Sequence, residues 1–327
     1  MTSVTLNVGI AQSDRMQPLL ERTVTRADID LRFDLSAVDN IFWRALHSDD
    51  FDVSEMSLAA YCILTSRDEN PFIGIPVFTS RMFRHNSVYI RANAGIKDPS
   101  DLRGRRIGIP EYQMTAVVWM RGVLENEYGV TARDVHWFKG GVGKPGRVER
   151  IPLRLPEGYH LTEIPAQDTL DAYLLEGKID AIISAKMPPS FMRGDPKIAR
   201  LFPDSRSVEV EYFRATQIFP IMHVLVMRRR VYEKNRALAM AVYQAFDEAK
   251  ALSAARAYDT DALPYMVPWL VEEMERTYSI MGRDLWPYGV GRNRHCLETF
   301  LSYLRQQDLL ERAVGVDDLF APEFKST

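Results

Sequence analysis

Three side chains of this sequence are of the types that proton-transfer chemistry uses: Glu55, His85 and His223. Glu55 lies in Phe51-Asp52-Val53-Ser54-Glu55-Met56-Ser57, a short strand running into a helix start, where a carboxylate can serve as acid or base. Stabilisation by the helix dipole is its competing role. Ser54 and Ser57 beside it suit either ligand contact or a helix cap. His85 follows Arg81-Met82-Phe83-Arg84, in which two guanidiniums could grip a carboxylate with paired, charged hydrogen bonds. An imidazole there can exchange a proton near neutral pH, although a basic turn with a structural histidine fits the same residues. His223 sits inside the apolar run Pro220 to Val226, a setting in which a lone histidine is usually a satisfied core residue.

A second group of residues suits anion binding. Arg106 to Ile109 reads as a strand, followed by a turn and a helix whose first turn contains Gln113 to Ala116. Such a junction aims unpaired backbone N–H groups and the positive end of a helix dipole at one point. Tyr112, Gln113, Met114 and Thr115 are therefore candidate contacts for a carboxylate. Ser184 and Lys186 follow the apolar strand Ala181-Ile182-Ile183 and could complete such a pocket. Trp286, in Trp286-Pro287-Tyr288-Gly289, could close over an aromatic ring or simply pack as a turn between helices. Arg214, Thr216 and Gln217 are weaker candidates, with a surface loop as the alternative.

The elements that must position these groups alternate. Strands at Val4–Val8, Leu31–Leu35, Phe51–Ser54, Ile73–Phe78, Ser87–Ile90, Arg106–Ile109, Val135–Phe138, Ile179–Ser184 and Gln217–Met227 are interleaved with helical patterns. That order predicts an α/β fold with largely parallel sheets, and ligands in such folds sit beyond the carboxyl ends of strands. Further helices are expected at 16–26, Ala116–Tyr128, Thr169–Glu176, Ala237–Tyr258, Tyr265–Tyr278 and His295–Gln306. A Gly/Pro-rich loop is expected at 140–158. With 327 residues, 46% hydrophobic and 26% charged, the chain has material for two cores and no sign of disorder. A net charge of −3 argues against nucleic acid or an anionic membrane as partner. No run is apolar enough to cross a bilayer. Met1-Thr2-Ser3 runs directly into a strand without a leader pattern, so a cytoplasmic location is expected. Cys62 and Cys296 are expected as free, buried thiols in a reducing compartment. Phosphate-loop, nucleophile-elbow and close-spaced metal-ligand patterns are lacking. No cofactor is predicted, with a divalent metal left open should Glu55, His85 and His223 converge.

The segments Asp101–Ala116, Asp52–Ser57, Pro76–His85, Leu175–Ser184, Phe219–His223 and Gly282–Gly289, taken together and in order, resemble 4,5-dihydroxyphthalate decarboxylases. That family has a type II periplasmic-binding-protein-like fold. The resemblance implies two lobes facing across a cleft and joined by two crossing strands, with residues 1–88 plus 218–327 as lobe one and 89–217 as lobe two. It also implies loss of CO2 from an aromatic dicarboxylate, 4,5-dihydroxyphthalate giving 3,4-dihydroxybenzoate. His85, or His223 in its place, would be the acid, and Glu55 would accept a phenol proton. Arg81 or Arg84 and the 113–115 amides would hold a carboxylate. The alternative is a solute-binding protein for a small aromatic or other organic anion, and a ligand sensor on the same fold ranks behind it. Homo-oligomerisation is left open.

Overall fold

The computed structural model describes residues 3–67, 70–259, 261, 263 and 265–327. Met1 and Thr2, which open the expected run into the first strand, lie outside the described residues. Eleven strands occur among these residues: β1 Val4–Gly9, β2 Ile29–Asp34, β3 Val53–Ser57, β4 Phe72–Arg81, β5 Val88–Arg91, β6 Arg106–Ile109, β7 His136–Lys139, β8 His160–Glu163, β9 Ala181–Ile183, β10 Ile198–Arg200 and β11 Ile221–Arg228. The chain divides into two compact units. One is Met1–Arg81, Ile221–Leu297 and Val314–Thr327, and the other is Met82–Pro220 and Glu298–Ala313.

The first unit is built on a five-stranded sheet of order β2-β1-β3-β11-β4. β1 pairs in parallel with β2 and β3, whereas β11 runs antiparallel to both β3 and β4. β3 is central and buried at all five positions. A strand covered on both faces is normally a continuous apolar run, which makes Ser54, Glu55 and Ser57 exceptions requiring partners. Ser57 ends β3 and caps the helix Leu58–Thr65, its hydroxyl accepting the Ala60 N–H. The long helix Ala237–Arg256 turns a stripe of small residues, Ala239, Ala245 and Ala249, into the core.

The second unit carries a six-stranded sheet of order β10-β5-β9-β6-β7-β8. Its parallel part, β9-β6-β7-β8, is the expected alternation; β5 is antiparallel to β9 and β10. The loop after β7 is fastened at its start, where the Gly141 and Val142 carbonyls accept the Leu170 and Asp171 N–H groups. A side chain at Gly141 would collide with the Lys144 carbonyl, so this turn requires glycine. Residues 298–313, placed in lobe one by the sequence, pack in this unit: Phe300 and Tyr303 against Trp119, and Gln307 on Arg121.

Other departures have local causes. The helix expected at 16–26 is a 3₁₀ turn, Asp14–Met16, and one α turn, Gln17–Leu20. Arg22 then takes a positive φ of 57° and the β-branched Thr23–Thr25 run leaves the helix. The helix expected from Tyr265 begins at Leu270, because Pro268 lacks an amide donor and disfavours helix in the residue before it. β8, β10 and the helix Ser205–Thr216 had no clear pattern; that helix buries only Tyr212 and Phe213.

Candidate active site

The antiparallel register of β11 on β3 sets His223 opposite Ser57, so that its ring lies diagonally across from Glu55 on the same sheet face. Glu55 is 3% exposed, and its Oε1 meets His223 Nδ1 at 2.7 Å. Thr79 Oγ1, on β4, donates to the same oxygen at 2.9 Å, and Oε2 accepts the Ala11 N–H at 2.9 Å. Burial alone would raise this carboxyl, but the His223 hydrogen bond and charge, the Ala11 amide and the Thr79 hydroxyl outweigh it and hold it below the usual carboxylate range. An ionised Glu55 can only accept, so His223 carries its proton on Nδ1. Nε2 is left to take or give the working proton. The His223 side chain is 20% exposed and stands edge-on to Phe42, with ring centroids 4.9 Å apart.

The other first-unit candidates, beside the capping Ser57, are Arg81, Trp286 and Ser54. Arg81 is buried and donates to the Pro287 carbonyl at 2.9 Å and to Asn293 Oδ1. Burial pushes its guanidinium down to about 10. Trp286 donates its indole N–H to the Phe78 carbonyl at 2.6 Å. The Arg15 guanidinium lies over that indole at 4.0 Å and donates to the Thr79 carbonyl at 2.9 Å. Ser54 is buried in mid-sheet, with Gly9 and Val226 as its strand neighbours.

In the second unit, His85 is 3% exposed between the rings of Phe202 and Tyr212, each 5.3 Å away. Its Nδ1 is 3.8 Å from Glu209, beyond hydrogen-bond range. Burial pushes its pKa from 6.5 down to about 4, so the ring is neutral at pH 7. Arg84 is also buried and pushed down to about 10 by that burial. Met114 caps the helix Thr115–Tyr128, Thr115 is its buried first residue, and Tyr112 is fully buried against Trp137 with Arg121 over its ring at 3.7 Å. Gln113 donates its side-chain amide to the Ile151 carbonyl at 3.3 Å. Ser184 Oγ accepts the Lys186 N–H at 3.0 Å, and Lys186 is exposed. Thr216 and Gln217 end the helix Ser205–Thr216, and Arg214 pairs with Glu211 on its surface. Among the described residues no group of three or more His, Cys, Asp or Glu side chains is placed to hold a metal ion.

The neutral burial of His85 has a thermodynamic consequence. A histidine whose folded pKa is depressed contributes stability that is complete above 6.5 and lost as pH falls toward 4. The stability advantage of the wild type over His85→Phe is therefore expected to shrink by about 3 kcal/mol between pH 7 and pH 4, measured by urea unfolding at each pH. A constant packing offset from the larger ring would not alter that slope. An advantage independent of pH would show that His85 is not held neutral by burial.

No family model matches the chain. The 4,5-dihydroxyphthalate decarboxylase of Comamonas testosteroni is 39% identical to it over 322 residues, 98% of each chain. The chain belongs to the 4,5-dihydroxyphthalate decarboxylase family. The Pseudomonas putida protein of the same name is also 39% identical, over 66% of this chain and 83% of its own. Among solved structures, the periplasmic aliphatic sulphonate-binding protein SsuA of Escherichia coli aligns over 98% of both chains at 13% identity, with a TM-score of 0.56. The MOPS-bound alkanesulfonate-binding protein SsuA of Xanthomonas axonopodis pv. citri aligns over 98% and 99% at 14% identity, with a TM-score of 0.53. These likenesses give the family's expected fold, the type II periplasmic-binding-protein-like architecture. No helix among the described residues is long and apolar enough to cross a membrane. Cys62 and Cys296 are both buried.

Three groups around the Glu55–His223 pair were not identified from sequence. Thr79 had a faint signal, as the first polar residue to end the apolar run Phe72–Phe78. The Ala11 amide and Arg15 had none, because the Ala11 contact with Glu55 and the Arg15 contact with the Thr79 carbonyl arise only when β1, β3 and β4 share a sheet.

Proposed function

We propose that this chain is a carboxy-lyase that converts 4,5-dihydroxyphthalate to 3,4-dihydroxybenzoate and CO2, with His223 as proton donor and Glu55 as the residue that orients it. The Glu55–His223 pair carries this assignment. Glu55 has three donors on its two oxygens, an arrangement that suits holding an imidazole better than accepting a phenol proton. His223 is partly exposed and coupled to a carboxylate, whereas His85 is buried and neutral, so the acid is His223.

The substrate supplies the electronic push. The hydroxyl para to the departing carboxylate feeds density onto the carbon that bears it. A protonated His223 gives its Nε2 proton to that carbon, the C–CO2 bond breaks, and its electron pair restores the aromatic ring as CO2 leaves. One proton is taken up and one CO2 released per turnover, and His223 regains its proton from solvent. The Glu55 carboxylate stabilises the imidazolium before transfer and fixes its tautomer afterwards. The Gln113–Thr115 stretch, with Tyr112 before it, is read as a carboxylate-binding segment of the second unit, the Tyr112 and Gln113 amides being its donors.

The test is incubation of chelator-treated protein with 4,5-dihydroxyphthalate, following CO2 and 3,4-dihydroxybenzoate by chromatography, with and without a divalent metal. Turnover in both conditions is expected. Saturable binding without turnover would move the chain to a solute-binding role or to a different acid. Turnover only with metal would replace His223 by a bound ion as the source of polarisation.

A further inference from the structure

Residues 111–113 and the 140–158 loop hold a charge arrangement that takes no part in the proposed proton transfer. Tyr112 donates its backbone N–H to Glu149 Oε1 at 2.5 Å, and the Gln113 amide also bears on this carboxylate. The amides expected to receive a ligand's carboxylate thus already hold one from the chain itself. One residue earlier, Glu111 is 2% exposed and accepts from Arg147 Nε at 2.7 Å, with Arg150 at 3.3 Å. Loop arginines on Glu111 and a loop glutamate on the amides together fasten the loop over this junction.

Glu149 is an imperfect occupant. Its Oε2 is buried with no protein partner among the described residues, and the same holds for Gln113 Oε1, Tyr112 Oη and Arg121 Nη1 nearby in the chain. Gln113 is 5% exposed and Tyr112 fully buried. Polar atoms removed from water without partners are costly, and several around one junction are unusual for a purely structural cluster. Burial also pushes the Glu149 carboxyl upward, against the pull of the Tyr112 and Gln113 amides. A ligand bearing a carboxylate and a ring hydroxyl offers both missing kinds of partner: an anion for the donors and a donor for Gln113 Oε1.

We propose that Glu149 is an internal stand-in for a ligand carboxylate, filling the Tyr112–Gln113 amides until an aromatic carboxylate displaces it together with its loop. This rests on the assignment of those amides to a ligand's carboxylate. Occupation by Glu149 lowers apparent affinity by the fraction of molecules in which the amides are vacant. Removing the stand-in therefore tightens binding without adding any contact.

The experiment measures phthalate binding by titration calorimetry at pH 7 for the full chain, Glu149→Ala, Glu149→Gln and Glu163→Gln. Phthalate has no para hydroxyl to drive loss of CO2, so binding is read apart from turnover. Glu163 is exposed in the same unit and pairs with Lys139 at 3.2 Å, so its variant removes one negative charge without touching the amides. Both Glu149 variants are expected to bind phthalate at least tenfold tighter than the wild type, with Glu163→Gln within about twofold. Unchanged or weaker binding by Glu149→Gln, folded by circular dichroism, would overturn the proposal, and the near-isosteric glutamine decides the matter if the alanine variant fails to fold. Equal tightening by Glu163→Gln would reduce the effect to net charge and also overturn it. Absence of phthalate binding by all four proteins would remove the amides as a carboxylate site. Lack of 4,5-dihydroxyphthalate turnover with the phthalate shift intact would sink only the decarboxylase assignment.

Discussion

Replacing His223 by glutamine is expected to lower kcat for 4,5-dihydroxyphthalate about 10³-fold while leaving KM within about threefold. A positioned general acid contributes roughly 10²–10⁴-fold, and a 10³-fold loss corresponds to about 4 kcal/mol of transition-state stabilisation. Glutamine is a demanding replacement because it preserves much of the structure. Its amide can still donate to Glu55 Oε1, so the buried carboxylate keeps the partner that His223 supplies at 2.7 Å. It has no proton to transfer to carbon. A fall in kcat alone therefore separates proton donation from loss of local order, which would also raise KM and lower the unfolding midpoint. Retention of more than a tenth of wild-type kcat would return the search for the acid to other residues.

Gly122→Ala is expected to destabilise the protein by about 3 kcal/mol in urea unfolding, at the upper end of the range for overpacking. Helix propensity alone predicts the opposite sign, since alanine is better than glycine in a helix interior by about 1 kcal/mol. Gly122 lies within the helix Thr115–Tyr128, and a Cβ there would run into the Tyr303 ring. Tyr303 itself packs edge-on to Trp119, whose ring is 1% exposed and also meets Phe300. The ring therefore has little room to yield. A neutral or stabilised variant would show that residues 298–313 do not pack on this helix as described.

How much of this was legible in the sequence depends on how local each signal was. Glu55 could be singled out because a carboxylate where a strand runs into a helix start can act as acid or base, and the strand–turn–helix junction at 106–116 follows from nearest-neighbour patterning. His223 was visible as a polar interruption of an apolar run, but its partner lies 168 residues away, and only the register of β11 on β3 brings them together. His85 and Arg84 have the composition of a binding turn, yet their burial, which decides their chemistry, is set by Phe202, Tyr212 and other residues of distant segments. Glu149 was hidden in a Gly/Pro-rich stretch, where no periodicity says which side chain turns inward. The assignment of residues 298–313 to the second unit was equally invisible, because an amphipathic helix records that it packs but not against what.

The segment from Met82 to Pro220 begins and ends at one point, since the Met82 N–H donates to the Pro220 carbonyl at 3.1 Å. Pairing β4 with β11 otherwise requires closing a long stretch of chain, an entropic cost that grows with its length. An intervening segment whose own two ends are hydrogen-bonded to each other removes most of that search. Synthesis imposes an order: the Glu55–His223 pair cannot exist until the whole of this segment has emerged, because His223 follows it in the chain.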